Sequence, residues 1–249
     1  MHALLLLLND GRFPSGGHAH SSGLEAAVAA GRVTNLSTLE KFLRGRLTTA
    51  ALVAAAFTAA THDRAAYGDR VNFGEIGVTT PQGSVAFPES AEISTAVLAE
   101  LDAELDARTA SPALRLASRR QGKALRRAGR TIWPHGAWQL LPHHPDGPHQ
   151  PIALGLITAA AGLTVEDAAL TSVYGALSGL ASAAVRLLGL DPYLVQALLT
   201  KLASACDSTA AQAAAAAGKS PAELPAASAP LADISAEFHA TWEVRLFAS

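Results

Sequence analysis

Apolar and polar positions along this chain recur mostly at the three-to-four spacing of helices, not at the two-residue alternation of strands. Ser37 and Glu40 form an S-x-x-E pair, in which each side chain takes up a free amide of a first helical turn. The pair predicts a helix from about residue 37 to 61 that buries Leu39, Phe42, Leu43, Leu47 and Phe57. Ser111 before Pro112 places an N-cap ahead of a proline at the first helical position, opening a helix to about Thr131. Thr164 with Asp167 repeats the capping pattern ahead of residues 168–188. Asp191 and Pro192 open another helix, through Leu198, Leu199 and Leu202 toward Ala217, with Gly218 as its C-cap. The leucines at positions 4 to 8 predict a short buried helix.

Between these lie segments rich in helix breakers. Residues 64–92 hold several glycines and prolines and read as a mobile loop, although Val71, Phe73, Ile76 and Val78 could make a short strand or hairpin. Residues 134–151 form a second predicted loop, and prolines at 221, 225 and 230 set off a tail, 231–249. Composition sharpens the picture. Of 249 residues 49% are hydrophobic but only 5% aromatic, and the apolar share is largely alanine and leucine. These are helix formers, so composition speaks against a β-sandwich or barrel, and an all-α, single-domain helical bundle over residues 1–249 is expected. A net charge of -2 gives no global pull toward nucleic acid or an acidic membrane. One cysteine, Cys206, cannot make an internal disulfide or a four-cysteine zinc site. No membrane span is expected: residues 50–61 are too few, and residues 165–190 carry Glu166, Asp167 and Arg186. The leucine run lacks the cationic flank of a secretory signal, so the expected location is the cytoplasm.

Candidate chemistry is sparse. His18 and His20 beside Gly16 and Gly17 admit a metal reading, but a glycine turn between helices accounts for them without a third ligand. His135, His143, His144 and His149 would suit a metal-binding helical enzyme, yet their segment is rich in proline and glycine and lacks nearby Cys or Glu. Gly218, Lys219 and Ser220 resemble the end of a phosphate-binding loop, but Ala213 stands where that motif needs glycine and no strand precedes it. Arg115, Arg119, Arg120, Lys123, Arg126, Arg127 and Arg130 fall on one helix face, a solvated face or a docking surface for an acidic protein. A nucleic-acid-binding module is the remaining alternative, disfavoured by the missing aromatic platform. No nucleophile triad stands out, and Cys206 reads as a small core residue. The residues alone therefore describe a helical domain with no catalytic residues and no metal ligands of its own.

A resemblance adds what the pattern leaves open. Phe13-Pro14-Ser15-Gly16-Gly17 with His20-Ser21 and Gly23-Leu24-Glu25-Ala26-Ala27 resembles the N-terminal signature of the UreF family of urease accessory proteins. Ser118-Arg119-Arg120-Gln121-Gly122 is similar to its S-x-x-Q-G segment, and His149-Gln150-Pro151 before Gly155 to its H-x-P. Ala183-Ala184-Val185-Arg186-Leu187 and the tail from Pro230 to Ser249 follow in the family's order. Residues 64–92 have no counterpart. The resemblance implies an all-α homodimer without an active site or an intrinsic cofactor. Such a protein bridges a UreD/UreH-type accessory protein and a UreG-type GTPase on apo-urease, with nickel and GTP handled by those partners. Under this resemblance the expected partner-binding residues fall in two groups. Leu231, Ile234, Phe238, Trp242, Arg245 and Phe247 lie in the tail, for the UreD/UreH-type protein. Gly16, Gly17, His20, Glu25 and Arg186 face the GTPase and the dimer.

Overall fold

A helical stretch that is apolar all the way round needs protein on every side, and the first half of α4 (Leu52–Asn72) meets that need at the middle of the fold. The computed structural model describes residues 2–17, 20–72, 95–134 and 136–247. Around α4 stand α2 (Leu24–Ala29), α3 (Leu36–Arg46), α5 (Thr95–Arg108), α6 (Pro112–Ile132), α7 (Gln150–Ala160), α8 (Val165–Leu188) and α9 (Pro192–Ala215). The first helix, α1 (His2–Leu8), and the last, α10 (Pro230–Ala240), lie at the two ends of the described chain. No strand occurs among the described residues, so the all-α expectation holds there.

The two faces of α4 sort the core. Leu52, Ala55, Ala56 and Ala59 join α2, α3, α8 and α9 in one apolar cluster. Val53, Phe57 and Ala60 join α5, α6 and α7 in the other. Alanines on α4 and α8 (Ala169, Ala181, Ala183, Ala184) are buried in the first cluster, and their small side chains let the helices approach closely. This explains how a chain with so few aromatics fills a core.

Most predicted starts recur. Ser111 Oγ accepts from the Leu114 N–H at 3.1 Å, and Thr164 with Asp167 forms the expected reciprocal cap. Asp191 caps α9 through the Tyr193 N–H. The cap of α3 differs: Asn35, not Ser37, is the N-cap, and Thr38 completes the box. Asn35 precedes the helix with extended φ and ψ, the backbone an N-cap requires, whereas Ser37 already lies inside it. Leu39, Leu43, Leu47 and Phe57 are buried as expected, and Phe42 is half-buried. The predicted single helix is interrupted at Leu47–Ala51, where Thr48 and Thr49 hydroxyls bond the Gly45 carbonyl and Thr49 leaves helical φ and ψ.

Other expectations need correction. Helix α4 runs on to Asn72, so the first nine residues of the segment 64–92 are helical. Arg64 anchors this extension, donating to the carbonyls of Ala217 (2.7 Å) and Lys219 (2.6 Å). The rest of that segment, including Phe73, Ile76 and Val78, lies outside the described residues. Within 134–151 the described chain has one short helical turn, Gly136–Gln139, before α7 begins at Gln150. The C-cap of α9 is Ala216, not Gly218. In α1, Leu8 is buried but Leu6 and Leu7 are exposed, because a helix this short has one face on the core. Helix α8 is long and apolar enough to cross a membrane by length and composition, contrary to the expectation, since Glu166 and Asp167 both sit in its first turn. In the fold it is a core helix packed on α4 and α9.

Candidate functional site

The site starts from a short turn. Ser22 and Gly23 both take positive φ, +47° and +84°, which swings the chain abruptly into α2. Gly23 occupies the left-handed N-cap position, where a side chain would be strained. Ser21 does not take the N-cap position itself, but its buried Oγ accepts from the Glu25 N–H at 3.4 Å. This swing turns the Glu25 carboxylate inward, where it is buried and accepts three bonds from the far end of the chain. The Leu246 N–H donates to Oε1 at 2.8 Å, and the Phe247 N–H donates to Oε2 at 3.0 Å. His239 donates to the same Oε2 through Nε2, also at 3.0 Å. The Arg186 guanidinium, at the end of α8, lies 4.2 Å from the centre of the Phe247 ring, within cation–π range.

Helix α10 is fixed on its inner side only. Pro230 at its first position and Asp233 in its first turn favour the start. Ser235, Ala236 and His239 face the domain and are buried, and Arg32 donates to the Ser235 Oγ at 2.7 Å. Glu237 caps the start of α6, accepting from the Ser111 hydroxyl and from the Ala113 N–H at 2.8 Å. The Ser111 hydroxyl and then the Ala113 amide hold the Glu237 carboxyl below the usual carboxylate range. The outer side carries the predicted stripe. Leu231, Ile234 and Phe238 are 59%, 67% and 66% exposed, and Phe238 packs edge-on against Trp242 at 6.1 Å. Arg245 is exposed and donates to the Ala240 carbonyl. Leu231 also borders a groove of about 360 Å³ whose surface is mostly apolar, from Val33, Phe42 and Ala232 among others, with Arg32, Lys41 and Arg46 also in its lining. The stripe and the groove together leave a run of apolar surface exposed on this side of the chain.

The remaining predicted residues divide. Gly16, at φ +72°, lies beside Ala124 in the middle of α6. The His20 N–H donates to the Gly17 carbonyl and closes that turn. His18 and His135 lie outside the described residues. His143 is exposed, and His144 accepts from the Asp146 N–H through Nδ1. Among the described residues no three His, Cys, Asp or Glu side chains converge on a metal position.

His149 has a different environment from the loop histidines it was grouped with. It is fully buried, with Nε2 2.9 Å from Asp106 Oδ1 and Nδ1 3.0 Å from Ser118 Oγ. A neutral ring with its proton on Nε2 fits both partners. Burial pushes the His149 pKa down, against the pull of Asp102 and Asp106. Asp102 and Asp106 both pair with Arg119, at 2.9 and 2.8 Å. Arg119 therefore points into the fold instead of sharing the exposed cationic face. Burial opposes ionisation of Asp106, but Arg119 and His149 outweigh it and hold its pKa below the ordinary value. Gly122 completes this junction: a Cβ there would stand 2.0 Å from the Pro148 carbonyl oxygen. The S-x-x-Q-G and H-x-P segments are thus two sides of one contact. Asp102, Asp106 and Glu237 were missed from the sequence, although two aspartates four apart on α5 do signal a shared acidic helix face.

The comparisons with known proteins bear on the whole chain. A family model described as UreF matches residues 33–203. A urease accessory protein UreF of Mycobacterium sp. (strain JLS) is 42% identical over 245 residues, covering 98% of this chain and 97% of its own length. The chain belongs to the UreF family. A Mycobacterium marinum UreF is also 42% identical, over 99% of this chain, and the Mycobacterium tuberculosis H37Rv UreF is 39% identical over 85%. The family model covers α3 through the first half of α9, including the buried Arg119–Asp106–His149 junction. The glycine turn and the tail fall outside it, but the mycobacterial alignments span 97–98% of those UreF chains and nearly all of this one.

Proposed function

We propose that this chain is a urease accessory protein that acts as a scaffold in nickel-dependent maturation of urease. In this reading it works in the cytoplasm as a homodimer and bridges a UreD/UreH-type protein and a UreG-type GTPase on apo-urease. Nickel and GTP are handled by those partners, and the scaffold modulates delivery by holding them in register. Membership of the UreF family supports the maturation role. The observation that carries the docking role is the outward stripe of Leu231, Ile234 and Phe238 on a helix whose inner side is anchored. An apolar stripe at i, i+3 and i+7 is the pattern by which a helix enters a partner's groove. We assign it to the UreD/UreH-type protein. The turn with Gly16, Gly17 and His20 is assigned to the GTPase-facing side. Glu25 and Arg186 act from beneath, by fixing the tail that presents the stripe.

The test uses Ile234→Asp with Phe238→Asp in the full chain, co-expressed with apo-urease and the UreD- and UreG-type proteins. Both side chains are mostly exposed, so the melting temperature is expected to stay near that of the parent. Co-purification with the UreD-type protein and urea hydrolysis after nickel and bicarbonate are expected to be lost. A variant that keeps both would refute the assignment of the stripe. Full urease activity in cells lacking the chain altogether would refute the maturation role.

A further inference from the structure

Helix α6 treats its cations in two ways. Toward its start, Arg115 and Arg119 are neutralised within the chain by Asp106 and Asp102. Further along, Arg120, Arg126, Arg127 and Arg130 have no ion-pair or hydrogen-bond partner among the described residues, and Lys123 reaches only the Pro145 carbonyl. These five side chains line an open groove of about 1110 Å³, together with apolar surface from Pro14, Ala124, Ala128 and Ile132. Like charges three or four apart on a helix repel, costing about 0.2–0.5 kcal/mol per pair. Of the five, only Arg130 lies in the last turn, where the helix dipole favours a cation. No carboxylate of the described chain offsets the remaining repulsion, which solvent and salt only screen.

The lining decides what the groove suits. Among the described residues no Phe, Tyr or Trp borders the groove and its single ring is His144, so it lacks the run of aromatic platforms on which successive nucleic-acid bases stack. The groove is open and most of its cations are exposed, so it lacks the enclosure that holds a small anion. Guanidiniums beside an apolar floor match a polypeptide that carries carboxylates on one side and aliphatic groups on the other. We infer that the C-terminal half of α6 docks an acidic, amphipathic segment of a partner protein. The surface is separate from the α10 stripe. Glu237 of α10 touches α6 at Ala113, and the groove's cations begin seven residues further on at Arg120, about 10 Å along the helix axis, and run away from α10 to Arg130. The inference therefore does not depend on the maturation reading.

The experiment measures fluorescence anisotropy of a labelled amphipathic peptide of Glu, Leu and Ala against the full-length protein at low and high salt. The comparison variant is Arg120→Glu with Arg127→Glu and Arg130→Glu, three exposed positions. Binding is expected at low salt, weakened by added salt and by about tenfold or more in the variant, with the melting temperature unchanged. The triple Arg→Lys variant is expected to retain most of the binding, because the charge is kept. Four outcomes would overturn the inference. Peptide binding could be absent or indifferent to the charge reversal. Random duplex DNA could bind more tightly than the peptide. The charge reversal could break self-association in ultracentrifugation, which would give the groove to a second copy. Binding that rises on changing Glu75, Glu89 and Glu92 to Gln would give it to the chain's own acidic segment.

Discussion

Replacing Glu25 by Gln keeps the shape of the side chain and removes its charge. The carboxylate serves three donors, one at Oε1 and two at Oε2. In the better of its two orientations the amide oxygen takes the Oε2 position. It then keeps the Phe247 and His239 donors as neutral bonds, while its NH2 faces the Leu246 N–H. One donor, only part-buried, is left unsatisfied at the lower end of the cost, about 1 kcal/mol, and two charge-assisted bonds each lose about 1 kcal/mol. The tail is therefore held about 3 kcal/mol less tightly, or about two decades in its opening equilibrium. Amide hydrogen exchange reads this directly, because Leu246 and Phe247 are themselves the donors. Their protection is expected to fall about 100-fold, while amides in α4 and α8 keep theirs. The tail contributes only Phe247 to the central clusters, so its release leaves the core intact. Unchanged protection at both amides would refute the clamp. An equal loss across the core would show that Glu25 supports the whole fold and not the tail.

Two further outcomes follow from the buried junction. Gly122→Ala drives a Cβ into the Pro148 carbonyl and is expected to lower stability by about 3 kcal/mol or more, read as a fall in the urea midpoint; an unchanged midpoint would mean that α6 and α7 separate freely. His149 gives a pH signature. Burial lowers its folded pKa below 6.5, so the unfolded chain takes up the proton first. Its contribution is complete above pH 6.5 and declines as the pH falls below that value toward the folded pKa. In His149→Gln, the slope of stability against pH in that window is expected to flatten, and an identical slope would show that the imidazole titrates alike in the folded and unfolded chain.

Helix content was legible because it is local chemistry. The caps at Ser111, Thr164 and Asp191 act within a few residues of themselves, and each occurs where its own sequence places it. The outward stripe of α10 was legible as a spacing, but not its direction. Periodicity shows that Leu231, Ile234 and Phe238 share a face; whether that face meets the domain or solvent depends on what Ser235, Ala236 and His239 find on the other side. Arg119 shows the same limit from the opposite direction. Its spacing places it with six other cations, and only the arrival of Asp102 and Asp106 from α5 turns it inward.

Composition and capping thus determined by themselves that the chain is helical, where most helices begin, and which positions form each apolar face. These properties follow from backbone amides and side chains less than two turns apart. Tertiary structure alone decided what the family-like segments touch. Glu25 meets Phe247 across 222 positions of sequence, and His149 meets Asp106 across 43. A carboxylate that would be a solvated first-turn charge in an isolated helix becomes a clamp once it is buried, because desolvated donors have no water to turn to. That loss of alternatives arises only when distant segments close over one another.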